Sequence, residues 1–153
     1  MVRRRGFLIV MALLLSLLII VVGLAYMGAR PGEYAASQAA AAAVEARNLA
    51  RAGLEDAKVK LSKDEFFPTG IGDEQVVFSY VEEMESLSEP GRVVGTYRVS
   101  IDRSYRSQNV IFIVAVGTAG KLKNPRARYS ISAELNLEDF RFKSWNEGLL
   151  PPL

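Results

Sequence analysis

The first part of the chain is dominated by one apolar run. Over the 23 positions from Phe7 to Ala29 there is no charged residue. As a helix that rises about 1.5 Å per residue, this run is long enough to cross a hydrocarbon core of about 30 Å. Ser16 can hydrogen-bond to a carbonyl of its own helix, so its hydroxyl does not oppose insertion. The pattern therefore predicts a transmembrane helix over residues 7–29. Its apolar residues include Phe7, Leu8, Ile9, Val10, Met11, Leu15, Ile20, Val22 and Leu24.

The charges that flank this span are unequal. Arg3, Arg4 and Arg5 precede it, whereas only Arg30 follows it closely. Because positive flanks stay on the cytoplasmic side, we expect the N-terminus in the cytoplasm and the rest of the chain outside. A cleaved secretory signal would have a shorter apolar core, of about 7 to 15 residues, followed by a small-residue site. We therefore expect the span to remain as an anchor.

A second helical stretch follows the span. Gly28, Pro31 and Gly32 disturb the pattern, and since proline removes a backbone hydrogen bond, we expect a kink or a locally unwound turn there. Alanine-rich sequence then favours a helix over residues 30–62, outside the membrane. Small residues recur on one stripe of this helix, at Ala39, Ala43, Ala46, Ala50, Gly53 and Ala57.

A stripe of small residues permits the close approach of another backbone. One interpretation is packing within the chain, against a sheet. The other is packing against the helices of neighbouring subunits in a filament. Both hold if the later half of the stripe packs within its own chain and the earlier half packs on neighbours.

After Leu61 the apolar pattern changes its period from helical to alternating. Alternation of apolar and polar side chains predicts strands with one buried face. The stretch VIFIVAV is instead apolar at every position and predicts a central strand covered on both faces. The predicted strands are residues 76–85, 94–102, 110–116 and 128–137. Turn signals between them, such as Pro90 followed by glycine, indicate a four-stranded antiparallel meander.

Together these elements predict an α+β fold. The long N-terminal helix covers the apolar face of the sheet with its later half. The β domain spans residues 63–153 and ends in a tail that begins at Phe140 and contains Phe142 and Trp145. This tail either covers the second face of the central strand or forms a surface for a partner.

Composition narrows the chemistry. The chain has no Cys and no His, which excludes a disulfide framework, thiol catalysis, a histidine base and the usual zinc sites. No motif for nucleotide binding or serine hydrolysis occurs. The acidic pairs near Asp64, Asp73 and Glu82 lack the spacing of a calcium loop, and we interpret them as solvated charge. We expect no metal, no cofactor and no enzymatic activity.

Charge is unevenly distributed along the chain. Residues 33–89 carry 5 Lys or Arg and 12 Asp or Glu, whereas residues 90–153 carry 10 and 5. These are either solvated faces or surfaces for charge-complementary contact with partners. The basic residues of the later strands and loops are Arg98, Arg103, Arg106, Lys121, Lys123, Arg126 and Arg128. DNA is an alternative partner for them, and ordinary surface charge is the interpretation that we favour.

The border between the arginines and the apolar run resembles the leader of type IV pilins and pseudopilins. It consists of three arginines, Gly6, Phe7 and a long apolar helix. In that family a prepilin peptidase of the membrane cuts after the glycine, on the cytoplasmic side, and N-methylates the new first residue. The resemblance implies that residues 1–6 are a leader, that the chain is cut between Gly6 and Phe7, and that it stays in the cytoplasmic membrane. A plain signal-anchor helix with an incidental glycine is the alternative.

Met11 separates this chain from most major pilins. Those have a glutamate at the fifth residue after the cut, where it neutralises the N-terminal amine of the next subunit, and that position is Met11 in this sequence. The same absence is known in PilX-like minor pilins and in the tip pseudopilin of type II secretion, which start or cap a filament. The stretch ARNLARAGLEDAKVKL, with its Ala-Gly-Leu-Glu run at 52–55, also resembles that subclass.

The resemblance implies a pilin-like fold, with other pilin or pseudopilin subunits as partners. It also implies a role in initiating or capping a type IV pilus or a related secretion filament. The alternative is a signal-anchor protein that does not assemble and that carries an external binding or adhesive domain.

Overall fold

The computed structural model describes residues 3–64, 66–68 and 77–151, with the side chains at 3–5 and 28–31 left out of the description. It contains one long helix followed by five strands, which confirms the predicted α+β fold. The elements are α1 Arg3–Lys63, β1 Val77–Glu85, β2 Val93–Asp102, β3 Val110–Lys121, β4 Asn124–Asn136 and β5 Arg141–Leu150. A short 3₁₀ turn, Arg106–Gln108, precedes β3.

The chain divides into two units, Met1–Gln38 and Ala39–Leu153. The described part of the first unit is the beginning of α1. The second unit contains the rest of α1 together with the whole sheet, so residues 39–63 belong with the β domain rather than with the apolar segment.

The helix α1 continues through Gly28, Pro31 and Gly32. The locally unwound turn, one of the two expectations for these residues, is therefore wrong, and the kink stays a prediction. A proline removes one backbone hydrogen bond, and the good helix formers that follow sustain the helix beyond it.

The sheet is an antiparallel meander with the order β1-β2-β3-β4-β5. It has five strands rather than the predicted four, because the tail forms β5 and pairs with β4 along its length. The tail thus extends the sheet instead of covering it. Phe140 in the preceding turn has a φ of 50°, in the left-handed region that non-glycine residues rarely occupy.

The strand β3 is central in the sheet, as predicted, but only one of its faces is covered. Ile111, Ile113 and Ala115 are fully buried under α1, whereas Val114 on the other face is 39% exposed. The prediction of cover on both faces is wrong because the single helix covers one face and no described element covers the other.

The core lies between residues 39–63 of α1 and the inner face of the sheet. It combines Leu54 and Leu61 of the helix with aliphatic residues of the three strands β2–β4, with Phe78 of β1 and with an aromatic rim. At Gly117 the helix backbone touches the sheet, since a Cβ there would overlap the carbonyl oxygen of Ala46 and the amide nitrogen of Ala50. Glycine in the sheet and alanine in the helix therefore set how closely the two layers approach.

Candidate functional site

The apolar beginning of α1 is exposed along its whole described length. Every side chain from 6 to 27 is exposed, with Phe7 at 65%. Among the described residues, α1 is the one helix long and apolar enough to cross a membrane, and its most apolar stretch buries nothing inside the protein. Apolar surface in water is unfavourable by about 25 cal/mol per Å², so lipid or another apolar surface has to cover this segment. The exposed residues include all of the predicted span residues Phe7, Leu8, Ile9, Val10, Met11, Leu15, Ile20, Val22 and Leu24.

The single polar side chain between Phe7 and Ala25 is satisfied within the helix. The hydroxyl of Ser16 donates a hydrogen bond of 2.9 Å to the carbonyl oxygen of Ala12, as expected from the sequence. Met11, the fifth residue after the predicted cut, is exposed and brings no charge to the surface of the segment.

The predicted processing site lies near the beginning of α1. Gly6 is helical, and among the described residues no atom outside its local helix lies within 4 Å of the place a Cβ would take. The peptide bond between Gly6 and Phe7 is open to solvent on the glycine side, and its cleavage stays a prediction.

The stripe of small residues is divided between two environments. Ala46, Ala50, Gly53 and Ala57 are buried against the sheet, which is the intramolecular packing that one interpretation of the stripe foresaw. The earlier two behave differently. Ala39 is exposed and Ala43 is half-buried, and both border a shallow cavity of about 140 Å³ that Leu149 and Ala127 line from the sheet. Packing of this earlier part on neighbouring subunits stays a prediction.

A polar network joins the later part of α1 to the first two strands. Lys60 forms ion pairs with Asp56, at 2.6 Å, and with Glu82. The Tyr80 hydroxyl donates to Asp56 at 2.8 Å, and the Tyr97 hydroxyl donates to Glu82 at 2.5 Å. Both carboxylates are thus held by a cation and a phenol, an arrangement that fastens the helix to the sheet.

The pKa values of Tyr80, Tyr97 and Lys60 are all raised in this network. Burial, followed by the hydrogen bond to Asp56, raises the pKa of Tyr80, and burial followed by the bond to Glu82 raises the pKa of Tyr97. Burial opposes the charge of Lys60, but its hydrogen bonds to Asp56 and Glu82 leave its pKa above the usual value. Because Glu82 faces the helix and exposed Glu83 points to the other face of the sheet, these two acids do not form an acid–base pair.

A second connection joins α1 to the edge strand β5. Arg47 donates to both carboxylate oxygens of Glu147, through Nε at 3.1 Å and through Nη2. These hydrogen bonds lower the pKa of the Glu147 carboxyl. The guanidinium of Arg51 lies 6.0 Å from the ring centre of Trp145, which is half exposed on the same strand. The hydrogen bonds between Arg47 and Glu147 were not predicted from the sequence, because the two residues are 100 positions apart.

The predicted basic residues do not form one surface. Arg103 donates to the carbonyl oxygens of Phe66, at 2.9 Å, and Phe67. The Arg106 guanidinium lies 3.9 Å from the ring centre of Phe66. These two arginines hold the chain after α1 in place.

The other five basic residues lie towards the opposite end of the sheet. Arg126 forms an ion pair of 2.7 Å with Glu45 of α1. Lys121 and Lys123 are exposed at the hairpin between β3 and β4. Arg98 and Arg128 stand on the face of the sheet that points away from α1.

Two further observations concern chemistry and relatives. In the part of the chain that the structure describes, no group of three or more His, Cys, Asp or Glu is placed to hold a metal ion. No protein-family model, curated protein or solved structure matches this chain, so its function has to be inferred from the sequence and the geometry above.

Proposed function

We propose that this chain is a membrane-anchored, pilin-like subunit that helps to initiate or cap a type IV pilus or a related secretion filament. One observation carries the proposal. The exposed apolar segment and the part of α1 that packs on the sheet belong to a single helix, Arg3–Lys63. A long helix with an exposed apolar beginning and a later part that packs on an antiparallel sheet is the layout that the resemblance to pilins implies.

In this proposal the apolar segment first lies in the cytoplasmic membrane and then packs sideways against the helices of other pilin or pseudopilin subunits. The unequal flanking arginines support a cytoplasmic N-terminus and a unit Ala39–Leu153 outside the membrane. Packing, rather than catalysis, is then the activity of the subunit.

Processing after Gly6 is the first step that this proposal requires. A helix is less stable with glycine than with alanine at an interior position, by about 1 kcal/mol. Little free energy is therefore needed to unwind the first turns of α1 at Gly6 for a peptidase that cleaves an extended chain. The three arginines hold the leader at the anionic inner surface of the membrane. N-methylation of Phe7 follows the cut.

Met11 supports a terminal position in the filament rather than a repeated one. A charge within an apolar helix bundle is unfavourable unless it is paired. A subunit with no charge at this position cannot neutralise the N-terminal amine of a neighbour, and it therefore suits a place used once, at the end of the assembly.

Mass spectrometry of the membrane-extracted protein, from cells with an active prepilin peptidase, tests the proposal. We expect a mature chain that begins with N-methylated Phe7. The variant Gly6→Val should keep its leader. The matched control Gly23→Val places the same side chain at another open glycine of the same helix and should be processed normally. An intact leader on the unmodified chain would reject the proposal.

The alternative, a signal-anchor protein with an external binding domain, is favoured by one observation. The face of the sheet opposite α1 carries a cavity with two arginines. The two functions differ in their partners. Pull-down from a detergent extract recovers other pilin subunits if the chain assembles and none of them if it only binds a ligand.

A further inference from the structure

The cavity on the outer face of the sheet has no role in helix packing. Its volume is about 340 Å³, close to the lower end of the range for small-ligand sites, about 300 to 1,000 Å³. It opens on the side of the sheet that α1 leaves uncovered.

Strand register places one arginine on each side of β3 at this cavity. Arg98 of β2 is opposite Val116, and Arg128 of β4 is opposite Thr118. Gly117 of β3 faces α1, and adjacent residues in a strand point to opposite faces of the sheet. Val116 and Thr118, together with the two arginines opposite them, therefore point away from α1. The strands β2 and β4 are two spacings apart, about 10 Å, and both arginine side chains line the cavity between them.

The floor of the cavity is polar. Thr96 and Thr118 face each other across β2 and β3 and are only 3% and 5% exposed. In the described part of the chain, neither threonine hydroxyl forms a hydrogen bond. Neither hydroxyl oxygen is a fully buried atom without a partner, so each keeps some exposed surface at the cavity and is able to hydrogen-bond a ligand there.

The charge of the cavity is not balanced from within. Arg47, Arg92 and Arg126 are each paired with a glutamate, whereas Arg98 and Arg128 have no acidic partner in the described part of the chain. The described residues that line the cavity include neither Asp nor Glu. Two guanidinium groups at one cavity repel each other, and an anion between them removes that repulsion. The guanidinium fork matches the geometry of a carboxylate.

We propose that this cavity binds a carboxylate carried on a short aliphatic chain. Arg98 and Arg128 bind the carboxylate, and the hydroxyl groups of Thr96 and Thr118 donate hydrogen bonds from the floor. Val116 contacts the aliphatic carbons. The ligand is either a free small dicarboxylic acid or an acidic side chain of a partner polypeptide. This proposal does not depend on filament assembly.

Isothermal titration of the full chain in detergent with glutarate, at an ionic strength held constant with NaCl, tests the proposal. We expect saturable binding that Arg98→Gln and Arg128→Gln each weaken at least tenfold. Lys123→Gln is the matched control, because it removes the same charge from the neighbouring hairpin outside the cavity, and it should bind as the unmodified chain does. Thr118→Val keeps the shape and removes one hydroxyl, and it should weaken binding without loss of fold. Thermal unfolding followed by the fluorescence of Trp145, the one tryptophan, verifies that each variant is folded.

Two further ligands distinguish the sources of the carboxylate. Tighter binding of glutarate than of an acetylated diglutamate peptide assigns the cavity to a free acid, and the reverse assigns it to an acidic partner segment. The proposal is overturned if neither ligand binds saturably, if inorganic phosphate alone binds, if neutral glutaramide binds as well as glutarate, or if Lys123→Gln weakens binding as much as the cavity variants do.

Discussion

At the scale of single residues, the contact between helix and sheet depends on Gly117. The atoms that a side chain at this position would meet belong to the backbone of α1, at Ala46, Leu49 and Ala50. Backbone atoms within a helix cannot rotate away as the end of a flexible side chain can. The helix would therefore have to move off the sheet.

We expect Gly117→Ala to destabilise the protein by about 1 to 3 kcal/mol, as overpacking usually does, and towards the upper end of that range. Urea unfolding of the full chain in detergent, followed by Trp145 fluorescence, measures the effect. Gly148→Ala is the control, since it adds the same methyl group to a strand position with open space around it. Equal stability of the two variants would show that α1 does not lie against β3 at Gly117.

Residue contacts of this kind were not predictable from the sequence. The sequence contains a glycine at 117 but does not indicate which backbone lies above it. The bond between Arg47 and Glu147, and that between Arg103 and Phe66, join residues far apart in the chain and leave no local pattern. The ion pair between Asp56 and Lys60 differs from these contacts, because an i,i+4 spacing within a helix is local and can be read from a sequence.

At the scale of elements, the uncharged apolar run and the alanine-rich run predicted the helical content of α1, alternation predicted β1, β2 and β4, and an unbroken apolar run predicted β3. The strand β5 was missed because an edge strand needs little burial. Its sequence RFKSWNEGLL is exposed at seven of ten positions and half-buried at the other three. The prediction that both faces of β3 are covered was wrong because apolar residues on an open face of a sheet cannot be told from buried ones by sequence.

The connection between α1 and the strands β1 and β2 should make stability depend on pH. The folded protein holds Tyr80 and Tyr97 neutral, with pKa values above the usual 10, and it raises the pKa of Lys60 as well. A group whose pKa is raised by folding contributes its full stability below the pKa of the unfolded chain. That contribution is lost as the pH rises above this value.

We therefore expect the free energy of unfolding to fall as the pH rises above about 10, the usual pKa of tyrosine. The double variant Tyr80→Phe with Tyr97→Phe should be less stable at pH 8, because Asp56 and Glu82 each lose a donor, but its stability should fall less steeply above pH 10. Urea unfolding from pH 8 to pH 11 measures both effects. Tyr105→Phe, which changes a tyrosine outside the network, serves as the control. An identical pH profile for the double variant and the unmodified chain would contradict a coupling of these phenols to folding.

At the scale of the whole molecule, the distribution of charge makes a prediction about orientation. The three arginines before the apolar segment favour a cytoplasmic N-terminus, and the unit Ala39–Leu153 is then outside the membrane. The chain has no cysteine, so one introduced thiol reports the side of the membrane on which it lies. Ser144 is exposed on the edge strand β5 and accepts such a change without loss of packing.

In intact cells whose outer barrier is permeable to it, a maleimide that cannot cross the cytoplasmic membrane should label Ser144→Cys. It should not label Val2→Cys, which is combined with Gly6→Val so that the leader is retained. Cell lysis before labelling is the control and should make both thiols reactive. Replacement of Arg3, Arg4 and Arg5 by glutamine leaves Arg30 as the charged flank of the segment and should reduce labelling of Ser144→Cys in intact cells, since the flanking arginines then no longer favour a cytoplasmic N-terminus. Labelling of Val2→Cys, but not of Ser144→Cys, in intact cells would place the β domain in the cytoplasm, where it could not join a filament outside the membrane.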